Sequence, residues 1–106
     1  MITADQIKAG KVLAEQAGLA MYQRVGERDA CGFGWVDVFV DRTNSKQAKE
    51  LIAAGFRKDY KPKCLSMWDP AGLGTQSVSV KEAGAEAYAT YLRALGLRAY
   101  AGSRLD

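Results

Sequence analysis

Gly32-Phe33-Gly34-Trp35-Val36-Asp37-Val38-Phe39-Val40-Asp41 is the longest run of strand-forming residues in the chain. Read as a strand, it puts Val36, Val38 and Val40 on one side and Trp35, Asp37, Phe39 and Asp41 on the other. The valine side calls for helices over it. The other side mixes rings and carboxylates, so simple burial does not account for it.

Working outward, the segment before this strand predicts a helix. Thr3 and Gln6 have the spacing of a capping box, and Ile2 and Ile7 that of a hydrophobic staple. Ile7, Leu13, Ala14, Ala17, Met21 and Val25 recur at helical spacing up to Gly26. The small residues Gly10, Ala14 and Ala17 lie on one side, where another element can approach closely. After the strand, Asn44 is the expected cap of a helix over 44–54, with Gln47 at the third helical position. Gly55 stops that helix, and Phe56 folds back on it. Phe56–Tyr60 reads as a polar edge strand and Lys63–Trp68 as a better one. Ser79 and Glu82 suggest a second capping box, giving a helix over 80–95 that Gly96 ends. Leu97–Ala101 is a last short strand, and 102–106 a tail.

The order is helix, then strand–helix–strand–strand–helix–strand. We therefore expect an α+β protein, with a helix over 1–26 followed by a split βαββαβ, ferredoxin-like, core over 32–101. Its four-stranded antiparallel sheet would set the Trp35 strand beside the Trp68 strand at the centre. At 106 residues the chain is read as one domain.

Composition excludes several function classes. There is no histidine, so the commonest general base and the serine-protease triad are absent. Two cysteines and no histidine argue against a zinc site, and reduced thiols point to a cytoplasmic setting. No metal, cofactor or catalytic residue is expected. No apolar run approaches the roughly 20 residues of a membrane span. The net charge of +3 permits nucleic acid or an acidic protein as partner without demanding either.

Three constellations remain as candidate sites. Trp35, Phe39 and Trp68, with Tyr60 nearby, share the open side of the expected sheet, where rings can stack bases or anchor a protein. Asp37 and Asp41 on that side would repel phosphates. The first helix or a second copy of the chain, in a homodimer, are the alternatives for covering the rings. Arg57, Lys58, Lys61 and Lys63 form a basic hairpin, suited to an acidic groove or to edge protection. Gly72-Leu73-Gly74-Thr75 leads toward a helix N-terminus, where free N–H groups favour anions; Arg104 is a further candidate for anion contact. The glycine loop lacks the spacing and lysine of a Walker A motif. Asp37 and Asp41 stand about 13 Å apart along a strand at ~3.3 Å per residue, too far to share one metal ion.

From Gly32 onward the chain resembles a group of small uncharacterised proteins of tailed bacteriophages and prophages. The resemblance is carried by Gly34-Trp35-Val36 and Trp68-Asp69-Pro70. It is carried further by Thr75-Gln76-Ser77, Lys81-Glu82-Ala83-Gly84-Ala85, Ala87-Tyr88-Ala89 and Gly102-Ser103-Arg104-Leu105-Asp106. The chain departs from that group at Gly55–Pro62, where a glycine- and tyrosine-rich segment is expected. The resemblance implies a viral accessory protein in the cytoplasm of a bacterial host. Small phage proteins of this kind bind a host protein or complex, as inhibitors of CRISPR-Cas or other defence systems do. The expected function is thus non-enzymatic protein binding, with a small single-stranded nucleic-acid or nucleotide binder as the alternative.

Overall fold

Val36, Val38 and Val40 lose nearly all contact with solvent, at 0%, 0% and 5% exposure. Each contributes about 2 kcal/mol by leaving water, and that burial sets the architecture. In a computed structural model describing all residues from Met1 to Asp106, the strands are β1 (Gly32–Phe39), β2 (Arg57–Lys58), β3 (Cys64–Trp68) and β4 (Arg98–Leu105). The helices are α1 (Ala4–Ala9), α2 (Lys11–Val25), α3 (Lys46–Ala53) and α4 (Val78–Ala94). The sheet order is β2-β3-β1-β4, antiparallel throughout. This is the split βαββαβ arrangement expected from the sequence, with β1 and β3 central.

The valines meet Leu65 and Met67 of β3 and Ala99 of β4 on the same side of the sheet. Ala48 and Leu51 of α3 and Ala85, Tyr88, Ala89 and Leu92 of α4 close over them. Both covering helices stop in the same way. Gly55 and Gly96 adopt φ of 108° and 103°, a region that favours glycine. Phe56 N–H then donates to Leu51 O, and Leu97 N–H to Leu92 O, satisfying carbonyls left over at the helix ends. Phe56 folds into the core as expected, with 1% exposure.

The N-terminal segment lies on the helix side. Its capping box forms: Gln6 N–H donates to Thr3 Oγ1, and Thr3 N–H to Gln6 Oε1. Ile7 is buried in the main core, and Tyr88 Oη donates to its carbonyl at 2.8 Å. Tyr91 Oη donates to Gln6 O, while Gln47 and Glu50 of α3 take up the backbone N–H groups of Ile2 and Ala4. Further on, α2 packs against α4. Neither α1 nor α2 covers the other face of the sheet.

Several expected boundaries move. The single N-terminal helix is two, broken at Gly10, where a Cβ would stand 2.8 Å from the Tyr88 ring. The cap of α3 is Ser45 and not Asn44, because Ser45 Oγ accepts from Ala48 N–H. Gln47 is drawn off to bond Ile2. The cap of α4 is Ser77 and not Ser79, and Glu82 accepts from Ser103 Oγ rather than closing a capping box. Residues 102–105 are not a tail: β1 pairs with them as far as Gly32 opposite Leu105.

Candidate functional site

The open face follows from the register. On β1 it carries Phe33, Trp35, Asp37 and Phe39. Trp35 stands opposite Trp68, and Asp37 opposite Ser66; across the other edge Phe33 faces Arg104, Trp35 faces Gly102 and Asp37 faces Tyr100. The Trp35 and Trp68 rings stack with centroids 4.7 Å apart and planes 28° from parallel. On its other side Trp35 lies over Gly102, where a Cβ would be only 2.6 Å from the indole. Glycine at 102 is therefore what lets the indole lie flat across the sheet. Phe33 meets the Trp68 ring edge-on at 5.9 Å, and the Arg104 guanidinium lies 5.3 Å from Phe33 and 5.9 Å from Trp68. At the far end Phe39 approaches Tyr100, centroids 6.1 Å apart. Trp68 remains 49% exposed and Tyr100 53%, a large unshielded aromatic area for a small chain.

A polar pair divides the two aromatic groups. Lys61 Nζ donates to Asp37 Oδ2 at 2.5 Å, with Asp59 Oδ2 at 3.8 Å. The hydrogen bond to Asp37 raises the Lys61 pKa above the ordinary lysine range. Asp37 is not a free carboxylate on the open side, because Lys61 pairs with it. It is instead 8% exposed, and its Oδ1 has no hydrogen-bond partner. Asp37, Asp59 and Cys64 bring three donor atoms within 4.8 Å of one another. Lys61 supplies the positive charge there, and burial, followed by the Asp37 charge, pushes the Cys64 thiol up to about 11. The phosphate-repelling charge expected from Asp37 is therefore neutralised within the chain. Asp41 is fully exposed at 3.8 Å from Arg98.

The basic hairpin does not act as one unit. Arg57 stands opposite Ser66 on the open-face side, while Lys58 stands opposite Leu65, whose side chain faces the helices. Lys61 bends back over the sheet. Lys63 is exposed, in a left-handed backbone conformation at φ 57°. Tyr60, at 92% exposure, joins no ring cluster.

The glycine loop lies elsewhere, beside α2. Gly74 and Thr75 border a groove of about 220 Å³ with Leu19, Tyr22, Glu27 and Leu73. The groove includes a carboxylate, with Tyr22 Oη donating to Glu27 Oε1 at 2.9 Å. The N-terminus of α4 is already filled. Asp29 Oδ2 accepts from Ser77 Oγ at 2.6 Å and from Ser79 N–H at 2.8 Å, while Val78 N–H donates to Ala30 O and Val80 N–H to Ser77 Oγ. Those bonds hold the Asp29 carboxyl down at about 2. An outside anion finds the first-turn donors taken. Arg104 is not part of this loop; it sits with Phe33 and Trp68 on the open face.

The structure thus brings together Trp35, Trp68 and Arg104, with Phe39 and Arg57 on the same face. It adds Phe33, Tyr100 and Lys81, which sequence reading did not single out. Phe33 shares the two-residue alternation of Trp35, and that signal was present in the opening run. Lys81 had no such signal, because its position depends on how α4 crosses β1.

These features define an α+β protein of the split βαββαβ class with an uncovered aromatic sheet face. No protein-family model, curated protein or solved structure matches the chain. No helix is long and apolar enough to cross a membrane.

Proposed function

We propose that this chain is a non-catalytic binding protein that engages a partner protein through the open face of its sheet. The observation that carries this reading is the position of α1 and α2 on the helix side, which leaves Trp68 and Tyr100 half-exposed. Trp, Tyr and Arg are the residue types that dominate protein-interface energetics, and here they share one face. The resemblance of the Trp68–Pro70, Thr75–Ser77 and Lys81–Ala89 segments to phage and prophage proteins supports a host protein as that partner. It favours an accessory role in the bacterial cytoplasm, directed at a component of a defence system such as CRISPR-Cas.

The test compares the tagged protein with a Trp68→Ala/Tyr100→Ala variant in capture from infected or lysogenic host lysate, read by mass spectrometry. A host protein retained in stoichiometric amount by the native chain and lost by the variant is the expected result. The same protein captured equally by both would sink the open-face reading. Light scattering on the purified chain gives the oligomeric state. A dimer that the same variant dissolves would assign the face to self-association instead.

A further inference from the structure

The two edges of the sheet are guarded differently. At one, β2 is two residues long, Arg57–Lys58, and Lys61, Pro62 and Lys63 follow it. Shortness, lysine and proline all resist pairing with another chain. At the other, β4 runs eight residues, Arg98–Leu105, with neither lysine nor proline. It pairs one-to-one with β1 along its whole length, so no bulge turns it away. Asp106 N–H donates to Cys31 O, which sets the alternation: the even-numbered residues of β4 bond β1. Ala99, Ala101, Ser103 and Leu105 therefore turn their backbone N–H and C=O groups outward. Arg93 Nη1 closes this edge at Ala99 O, at 2.7 Å. Beyond it, β4 being the last strand of the sheet, nothing in the chain bonds the outward groups of Ala101 and Ser103.

This open part of the edge borders α4. Ser103 Oγ donates to Glu82 Oε2 at 2.5 Å, and Glu86 stands one turn further along the helix. The two glutamates line a groove of about 120 Å³ with Ala101, Gly102 and Ser103. Both are exposed, and neither has a cation beside it: the ion pairs of the chain are those of Lys61 with Asp37 and Asp59, and of Arg98 with Asp41.

We propose that this edge receives an extended segment of a partner protein, added antiparallel to β4 at Ala101–Ser103, with basic residues at alternate positions. It is a second attachment surface and does not rest on the open-face reading. The alternation follows from the pairing. In an antiparallel pair, residues that exchange hydrogen bonds stand opposite each other and share a side of the sheet. Ala101 and Ser103 are on the helix side, Ala101 packed against the core and Ser103 bonded to Glu82. The incoming residues that bond them place their side chains at Glu82 and Glu86, where lysine or arginine supplies the missing charge. The residues between fall on the open side, near Tyr100 and Arg104. A second copy of the chain fits less well. Paired about a twofold axis at Gly102, it would bring Glu82 and Glu86 of both copies to one junction, and like charges oppose that.

The experiment titrates the purified chain into a short fluorescein-labelled peptide of alternating Lys and Thr, read by anisotropy. An alternating Glu and Thr peptide and two N-methylated forms of the Lys peptide serve as comparisons. Methylating the Lys nitrogens removes the N–H groups aimed at β4, whereas methylating the Thr nitrogens removes only those aimed away from it. The Lys peptide and its Thr-methylated form should bind alike, and the Lys-methylated form should not bind. The Glu peptide should bind at least tenfold more weakly than the Lys peptide. Glu82→Gln/Glu86→Gln should weaken the Lys peptide about tenfold. Ala101→Pro, which deletes an outward N–H at an edge position, should weaken it too. Equal binding of the two methylated forms would mean plain charge attraction and would overturn strand addition; that comparison uses the native chain alone. Equal binding of the Lys and Glu peptides would overturn the basic partner. A native dimer in light scattering that Ala101→Pro dissolves would give the edge to a second copy, and the proposal would fall.

Discussion

Lys61 Nζ reaches back from the β2–β3 hairpin to Asp37 Oδ2 in the middle of β1, at 2.5 Å. Asp37 is the one carboxylate buried in the sheet, and Lys61 is its main compensation. Lys61→Met should therefore cost about 2 kcal/mol in urea unfolding. Adding Asp37→Asn to Lys61→Met should recover part of that loss, since the uncompensated charge is gone. The pair also predicts an alkaline transition. Because Asp37 raises the folded-state pKa of Lys61, the stabilisation is complete below the ordinary lysine value of about 10.4 and declines as pH rises through the raised value. A stability profile in that range that is identical in Lys61→Met would refute the pairing.

At the acid end the controlling group is Asp29, which closes the N-terminus of α4 through Ser77 and Ser79. Its folded pKa of about 2 lies below the unfolded value, near 3.9. Its contribution is present above about pH 3.9 and lost as pH falls through about 2. Asp29→Asn should lower the melting temperature at neutral pH and flatten the acid slope. Parallel acid slopes for native and variant chains would show that Asp29 does not act as this clip.

Gly10 tests packing against propensity. In an exposed helix Gly→Ala gains about 1 kcal/mol. Here the new methyl would meet the Tyr88 ring at 2.8 Å, from a side chain buried in the core. Gly10→Ala should instead destabilise by about 1–3 kcal/mol. A raised melting temperature would mean that α1 and α2 are not held this tightly against α4.

The two thiols should separate in a reagent titration. Cys31 is exposed, whereas Cys64 is buried and pushed up to about 11. Thiolate is the reactive form. One thiol should react promptly in the native chain and the second only on unfolding, and Cys31→Ser should remove the prompt one. Two prompt equivalents would contradict the burial of Cys64.

Much of the fold was readable because its determinants are local. The valine alternation, the Thr3–Gln6 box and the helix stops at Gly55 and Gly96 each depend on residues a few positions apart. The helix caps were misplaced where two cap-forming residues competed. Asn44 and Ser45 are equal candidates in sequence, and at α4 the Ser77 Oγ accepts from Val80 N–H as the cap while Asp29, far earlier in the chain, takes the Ser79 N–H. Lys61 looked like one of four free hairpin cations, since nothing local marks a flexible lysine as bound for Asp37. The side chosen by the first helix was likewise hidden. It follows from Tyr88 and Tyr91 reaching the carbonyls of Ile7 and Gln6, contacts that span most of the chain.

The position of β1 has a kinetic consequence. Its partners come later in the chain, β3 after α3 and β2, β4 after the further helix α4. During folding, a valine-rich strand with both edges unpaired must wait for distant segments, and such a segment is prone to intermolecular association. Asp37 and Asp41 interrupt and bound that run with charge. In the native sheet Asp37 is an expense that Lys61 offsets; in the waiting chain it works as a gatekeeper. Replacing the pair by apolar residues would thus give a native state at least as stable, reached through an intermediate that aggregates more readily.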